Sequence, residues 1–320
     1  MRKNNLTALI AFFCLGHLVP AKAIITNLPD ALQKKSITHA QRQPASLGEF
    51  LNNSDSTKPT FPYWEHVGMV GKGSGVYLGD GWVITSAHVG CFPFLMSDGS
   101  NYKPVYSTWK VLTGTDGAKS DLAVFQVLIP DKSSRLASLE NLPVGVFGES
   151  HAKGVVMIGT GYTQADEALT FNANGKAVAV LGYRVQPERH TSWGVTPLTR
   201  ILDQSVKTGQ DCHTECLATT FDSSAFAAQA VDGDSGGASF AYNTKSQRWE
   251  LVGCIIAVSQ QHNQVTFGTH TYLGNLGRYA EQIPGVDSTT LAQAVLAREQ
   301  GKATTAGNVS VITAAPTAIR

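Results

Sequence analysis

The chain has 320 residues, 42% of them hydrophobic, with 25 basic against 24 acidic side chains. That is enough apolar material for one large or two medium cores, and the near-even charge argues against a nucleic-acid or anionic-membrane partner held by charge. Charged residues are sparse at 15% and glycines number 31, a composition that leans to a β-rich, turn-rich fold rather than a helical one.

The first residues set the expected compartment. Arg2 and Lys3 precede an apolar run from Leu6 to Val19, and Ala21-Lys22-Ala23 supplies the small residues a signal peptidase reads. The run is shorter than the ~18–20 residues a membrane span needs, so residues 1–23 are expected to be a signal peptide cleaved after Ala23, with no membrane anchor left. The mature chain is then secreted or periplasmic. Cleavage removes Arg2, Lys3, Lys22 and no acid, which leaves the balance slightly acidic.

Cys14 leaves with the leader, and Cys91, Cys212, Cys216 and Cys254 remain. Four cysteines in an exported protein allow three pairings. Cys212 with Cys216 is favoured, because CHTEC reads as a short polar loop. A metal site there is set aside, since no second ligand pair lies nearby, and no cofactor is implied.

Residues 24–60 are polar and broken by Pro29, Pro44 and Pro59, so they read as an N-terminal arm. From Phe61 the texture changes to short Val-, Ile- and Tyr-rich runs punctuated by glycine: HVGMV, GVYLGDGWVITSAHV, LAVFQVLI, GVVMIGTGY and AVAVLGYRV. These are strand-length segments, and the pattern predicts an all-β sandwich or barrel over residues 61–283. Helical periodicity is confined to Leu276–Ile283 and, more weakly, Leu291–Glu299. Residues 284–320 form a tail that ends Ala/Thr-rich.

Three motifs carry chemistry. Val231 to Ala238 reads VDGDSGGA, and glycines on both sides of Ser235 let the backbone turn tightly and bring N–H groups beside the serine hydroxyl. A lone serine is inert near neutral pH, so it needs a histidine base and a carboxylate to orient that base. His88, in WVITSAHV, stands at the end of an apolar run, where a strand would deliver it out of the core. Asp121, in SDLAVFQV, starts an alternating strand. Its competitor Asp116 sits in the glycine-bounded turn TGTDGA.

With ITSAHV, DLAV and GDSGG in that order, the chain resembles the trypsin-like serine peptidases of the chymotrypsin fold over roughly residues 61–283. GSGVYLGDGWVITSAH lies on the family's pattern without a gap, and GRYAEQI is similar to its closing helix. The resemblance implies two six-stranded antiparallel barrels, divided near residue 150, with the site in the cleft between them. It also implies Ser235 as nucleophile, His88 as base and then acid, Asp121 as orienting carboxylate, and the N–H groups of Gly233 and Ser235 as the oxyanion hole. Protein or peptide substrates follow from it.

The same resemblance assigns further roles. Asp234 would pair with a freshly cut apolar N-terminus, and cleavage after Ala23 would expose Ile24-Ile25. Gln229 stands where trypsin has the aspartate that attracts Lys or Arg, and Val258 and Thr271 fall on trypsin's wall glycines. That combination is similar to pancreatic elastase and implies a preference for small aliphatic side chains before the scissile bond. Departures are the absent cysteine pair, replaced by Gly73 and Val89, a missing pocket cysteine at Val231, and Ile256 where the family has a serine supporting the catalytic aspartate.

Two other functions compete. GDSGG also fits the GxSxG elbow of α/β-hydrolases, but those enzymes run serine, acid, histidine, and strand–helix alternation is missing. A binding protein that kept the peptidase fold is the other, although such proteins usually lose a triad residue.

Overall fold

The computed structural model describes residues 24–26, 63–173, 176–208, 211–224, 227–259, 263–304 and 317–318. The expected leader (1–23), most of the expected arm (27–60) and the first two residues of the expected domain (61–62) lie outside the described residues.

After the short strand β1 (Ile25–Thr26), the first sheet is built from β2 (Val67–Val70), β3 (Gly73–Gly79), β4 (Trp82–Ser86), β5 (Phe94–Leu95), β6 (Asn101–Tyr102), β7 (Pro104–Thr113) and β8 (Lys119–Val127). All pairings are antiparallel, in the spatial order β6-β5-β2-β3-β4-β8-β7. The β3–β4 hairpin turns on Asp80 and Gly81 at φ 50° and 81°, the two positive values that a tight primed turn demands. Side chains alternate along each strand. Tyr77, Val83 and Phe125 join Val70, Phe94 and Leu136 in one apolar cluster, while Val76, Ile84, Leu122 and Val124 face another.

The second half supplies β9 (His151–Gly159), β10 (Tyr162–Ala173), β11 (Lys176–Arg189), β12 (Ser192–Thr208), β13 (Cys212–Thr220), β14 (Ala228–Gln229), β15 (Ala238–Asn243), β16 (Arg248–Val258), β17 (Gln264–Thr266) and β18 (His270–Asn275). Strands β15-β9-β12-β13-β18-β16 pair in that order, and β15 pairs with β16, so the ring closes as a six-stranded barrel. β10, β11 and β17 form a separate three-stranded sheet, and β1 pairs with β14. On β9, Val155 and Met157 enter a cluster with Leu217, Val252 and Ile255, whereas Val156 and Ile158 enter the cluster that also holds Val76, Ile84 and Leu122. That shared cluster joins the two halves. Truncating a member such as Ile84 or Leu122 to alanine is expected to cost about 2–5 kcal/mol.

The architecture is all-β and two-barrelled, as the resemblance implies, with local differences. The first sheet has seven strands where the resemblance implies six, and two of the seven, β5 and β6, are only two residues long and lie beyond β2. Strand–helix alternation is absent among the described residues and the named pairings are antiparallel, so the α/β-hydrolase reading falls. The stronger helical signal, Leu276–Ile283, yields only two 3-10 turns, Leu276–Arg278 and Ala280–Gln282, because Pro284 and Gly285 stop the chain after them. The weaker signal yields the true helix, α1 (Ser288–Thr304). Asp287 starts it: its Oδ1 accepts the Thr290 N–H at 2.8 Å and its carbonyl accepts the Leu291 N–H at 3.0 Å. A final two-residue strand, β19 (Thr317–Ala318), adds to the edge of β16.

The expected Cys212–Cys216 bridge is corrected. All four cysteines described are free thiols. CHTEC is not a loop but the start of β13, and four residues along a strand span roughly 13 Å, far beyond the ~7 Å limit between bridged Cα atoms. Cys216 and Cys254 both pair with Gly274, from opposite sides, which leaves a strand between them.

Candidate active site

β4 ends at Ser86, and the next three residues, Ala87–Val89, form a 3-10 turn that carries His88 off the end of the sheet. Ser86 pairs with Leu122 on β8, so Asp121 lies one residue past that pair, beside the turn. The Asp121 Oδ1 accepts the His88 backbone N–H at 2.9 Å, and Oδ2 lies 2.8 Å from Nδ1 of the same residue. A carboxylate only accepts, so the contact places the proton on Nδ1 and leaves the Nε2 lone pair free to act as a base. Asp121 is buried at 2% exposure, while the His88 side chain keeps 19%. Asp116 is occupied in its own turn, accepting the Ala118 N–H at 2.9 Å.

Thr214 was not singled out by sequence. Its Oγ1, on β13 of the second barrel, accepts the Asp121 N–H at 2.8 Å. Support from the second barrel therefore reaches Asp121 from β13, and Ile256 on β16 is an ordinary core residue. Counting along LVGC points only to β16, so the spacing held no signal for Thr214.

Ser235 sits in the loop between β14 and β15 and is clamped to the first barrel. Its carbonyl accepts the Ser74 N–H at 2.7 Å, and the Ser74 carbonyl accepts the Thr85 hydroxyl at 2.7 Å. One carbonyl, that of Ile255, accepts both the Gly236 N–H and the Ser86 hydroxyl, each at 2.7 Å. The residue after Ser235 and the residue two before His88 thus share an acceptor. Gly236 has φ 87°, and a Cβ there would collide with the Ser74 carbonyl and the Thr85 hydroxyl, so only glycine permits the approach.

Gly233, at φ 88°, makes the companion turn. The Asp232 carbonyl accepts the Tyr162 N–H at 2.8 Å, and the Asp234 carbonyl accepts the Gly237 N–H at 2.8 Å. In a trans peptide the N–H points opposite to the carbonyl, so the N–H groups of Gly233 and Ser235 are turned away from those two partners. Gly73 and Val89 stand where the resembling family has a cysteine pair. They are in fact neighbours, with the valine side chain filling the space a Cβ on Gly73 would need.

Asp234 is fully buried. Its Oδ2 accepts the Val231 N–H and its Oδ1 the Gly161 N–H, both at 2.8 Å. Burial pushes its carboxyl up to about 7, against the pull of those hydrogen bonds and of the Arg189 guanidinium. Ile24 is completely buried, packed with Ala228 and Ala230. β1 runs antiparallel to β14, with Ile25 opposite Gln229 and Thr26 opposite Ala228, so Ile24 lies at the end nearer the Asp234 loop. Arg189, also not singled out by sequence, ties both barrels together here. It donates to the Thr160 carbonyl and the Gly73 carbonyl, each at 2.8 Å, and to the Thr160 hydroxyl at 3.1 Å.

The three residues expected to shape the pocket are gathered in one place. Val258 and Thr271 are direct cross-strand partners on β16 and β18. The Thr271 hydroxyl accepts the Ala230 N–H at 3.1 Å, and Gln229 Nε2 donates to the His270 carbonyl at 3.1 Å. Gln229 Oε1 is buried with no hydrogen-bond partner among the described residues.

No family model matches this chain, and no curated protein matches it in sequence. Among solved structures it is similar to the crystal structure of Rv3671c protease in its inactive form, at a TM-score of 0.39 and 14% identity, over 71% of this chain and 91% of that one.

Proposed function

We propose that the chain is a serine endopeptidase that hydrolyses peptide bonds through an acyl-enzyme. The observation that carries this reading is the double hold of Asp121 on His88 beside a serine loop anchored to the same Ile255 carbonyl as Ser86. Ser235 Oγ attacks the substrate carbonyl carbon as His88 Nε2 takes its proton. The oxyanion is met by the N–H groups of Gly233 and Ser235. His88 then gives the proton to the leaving amine, and a water repeats the sequence to release the acid. Asp121 keeps the imidazole in the required tautomer and balances the charge it gains.

Val258 and Thr271 meet as cross-strand partners; as the walls of the substrate pocket they would take the space an aromatic or long basic side chain needs, which favours substrates with Ala, Val or similar small residues before the scissile bond. The proposal includes export through residues 1–23, with leader removal freeing the Ile24 amine to pair with Asp234. The burial of Ile24 beside Ala230 supports that pairing. A panel of chromogenic peptides, assayed with and without a serine-directed covalent inhibitor, tests the reading. Inhibitor-sensitive cleavage after small residues is expected, and a panel left uncleaved counts against it.

A further inference from the structure

The second barrel closes with six strands, and β19 is a seventh added outside the ring. It pairs antiparallel with β16, Ala318 opposite Ala257 and Thr317 opposite Val258. Those two β16 residues also pair with Tyr272 and Thr271 of β18, so β19 must use the opposite edge of β16. At Cys254 the two neighbours of β16 are β18 and β15. β19 therefore lies on the β15 edge, in the stretch that β15 vacates after Cys254.

Direction adds a second constraint. Passing from Thr317 to Ala318 moves along β16 from Val258 to Ala257, towards Ile255. The Ile255 carbonyl is the one that holds Gly236, next to Ser235, and Ser86, two residues before His88. A strand laid on this edge runs at the nucleophile. It also passes Val258, a wall of the proposed pocket.

The sequence suits the position. Thr317 and Ala318 are uncharged and small, which suits the narrow pocket proposed at Val258 and Thr271. Residues 305–316, between α1 and β19, reach up to roughly 40 Å when extended, so the same chain can deliver the strand.

We propose that the strand Thr317–Ala318 is an internal competitor, which occupies the acyl side of the cleft and holds the chain in a self-blocked state. This rests on the serine-peptidase reading. Two residue pairs make a weak contact, and tethering raises its effective concentration to the millimolar range. A tail in place nine-tenths of the time raises apparent KM about tenfold and leaves kcat unchanged.

The binding test avoids turnover. In Ser235→Ala chains, a fluorescent peptide copying residues 311–320 should bind the chain truncated after residue 304 at least tenfold more tightly than the full chain. Equal binding, or no binding to the truncated chain, overturns the proposal. Ala318→Pro in the full-length chain, which removes a backbone donor without shortening the tether, should reproduce the truncation. With Ser235 restored, a fluorophosphonate should label the truncated chain faster than the full one, and equal rates again overturn the proposal. Failure of both chains to label defeats the peptidase reading instead, while the peptide-binding result still judges the tail.

Discussion

Asp121 holds His88 at two points, its carboxylate accepting the backbone N–H at 2.9 Å and meeting ring Nδ1 at 2.8 Å. Replacing it by asparagine keeps the shape but offers the ring an amide that can donate, which favours the wrong tautomer. Asp121→Asn is expected to lower kcat on the order of ten-thousandfold with an unchanged circular dichroism spectrum. Thr214→Val removes the acceptor of the Asp121 N–H. It should cost about 1–3 kcal/mol of stability by urea unfolding, with a smaller loss of activity. Unchanged kcat in Asp121→Asn would remove Asp121 from the mechanism.

Asp234 gives a pH-dependent test of the proposed pairing with the Ile24 amine. Its carboxyl stands at about 7 against an ordinary 3.8, so between those values the folded chain holds a proton that the unfolded chain releases. Stability then falls as pH rises from about 4 to about 7. A free Ile24 ammonium beside the carboxylate would bring its pKa down and flatten that slope. Urea unfolding at pH 5 and pH 7 should show the loss in a chain that still carries residues ahead of Ile24, and little or none in a chain beginning at Ile24. Equal slopes would rule out the pairing.

In the proposed function Val258 is a wall of the pocket. Val258→Gly should raise kcat/KM for peptides with Phe before the scissile bond relative to matched Ala peptides, by on the order of 10–200-fold. A wild-type preference for Arg or Phe over Ala and Val would defeat the pocket reading and leave the triad intact.

A second titration lies away from the site. Glu250 is buried, which alone would push its carboxyl up, but hydrogen bonds from His151, Asn243 and Arg248 hold it down to about 2. Its stabilising contribution is present above the usual value of 4.5 and is lost as pH falls from there towards 2. Glu250→Gln should be less stable at pH 7 and lose less on acidification, read as thermal midpoints between pH 7 and pH 3. Parallel curves for the two proteins would contradict this.

The pairing of Asp121 with His88 was legible because each lies in a local word, an Asp opening an alternating strand and an apolar run ending in AHV, and Ser235, the proposed nucleophile, stood out among glycines. The β-rich texture was legible for the same reason, since alternation is local. Thr214 and Arg189 were not, because their partners Asp121 and Gly73 lie far from them in sequence and meet them only in the folded chain. CHTEC misled for a related reason: Cys212 and Cys216 read as a polar loop, while pairing to β12 and β18 draws them into a strand. The helical signal at Leu276–Ile283 lost to Pro284 and Gly285, and the weaker one gained a cap in Asp287.

The central claim is that Ser235 is the nucleophile, and the most direct measurement compares purified wild type with Ser235→Ala. Wild type should cleave peptides and take one fluorophosphonate adduct, mapped by mass spectrometry to the peptide containing Ser235. Ser235→Ala should take none and lose turnover on the order of a millionfold, with the same circular dichroism spectrum and unfolding midpoint. Near-wild-type hydrolysis by Ser235→Ala, or an adduct on a different residue, would contradict the account.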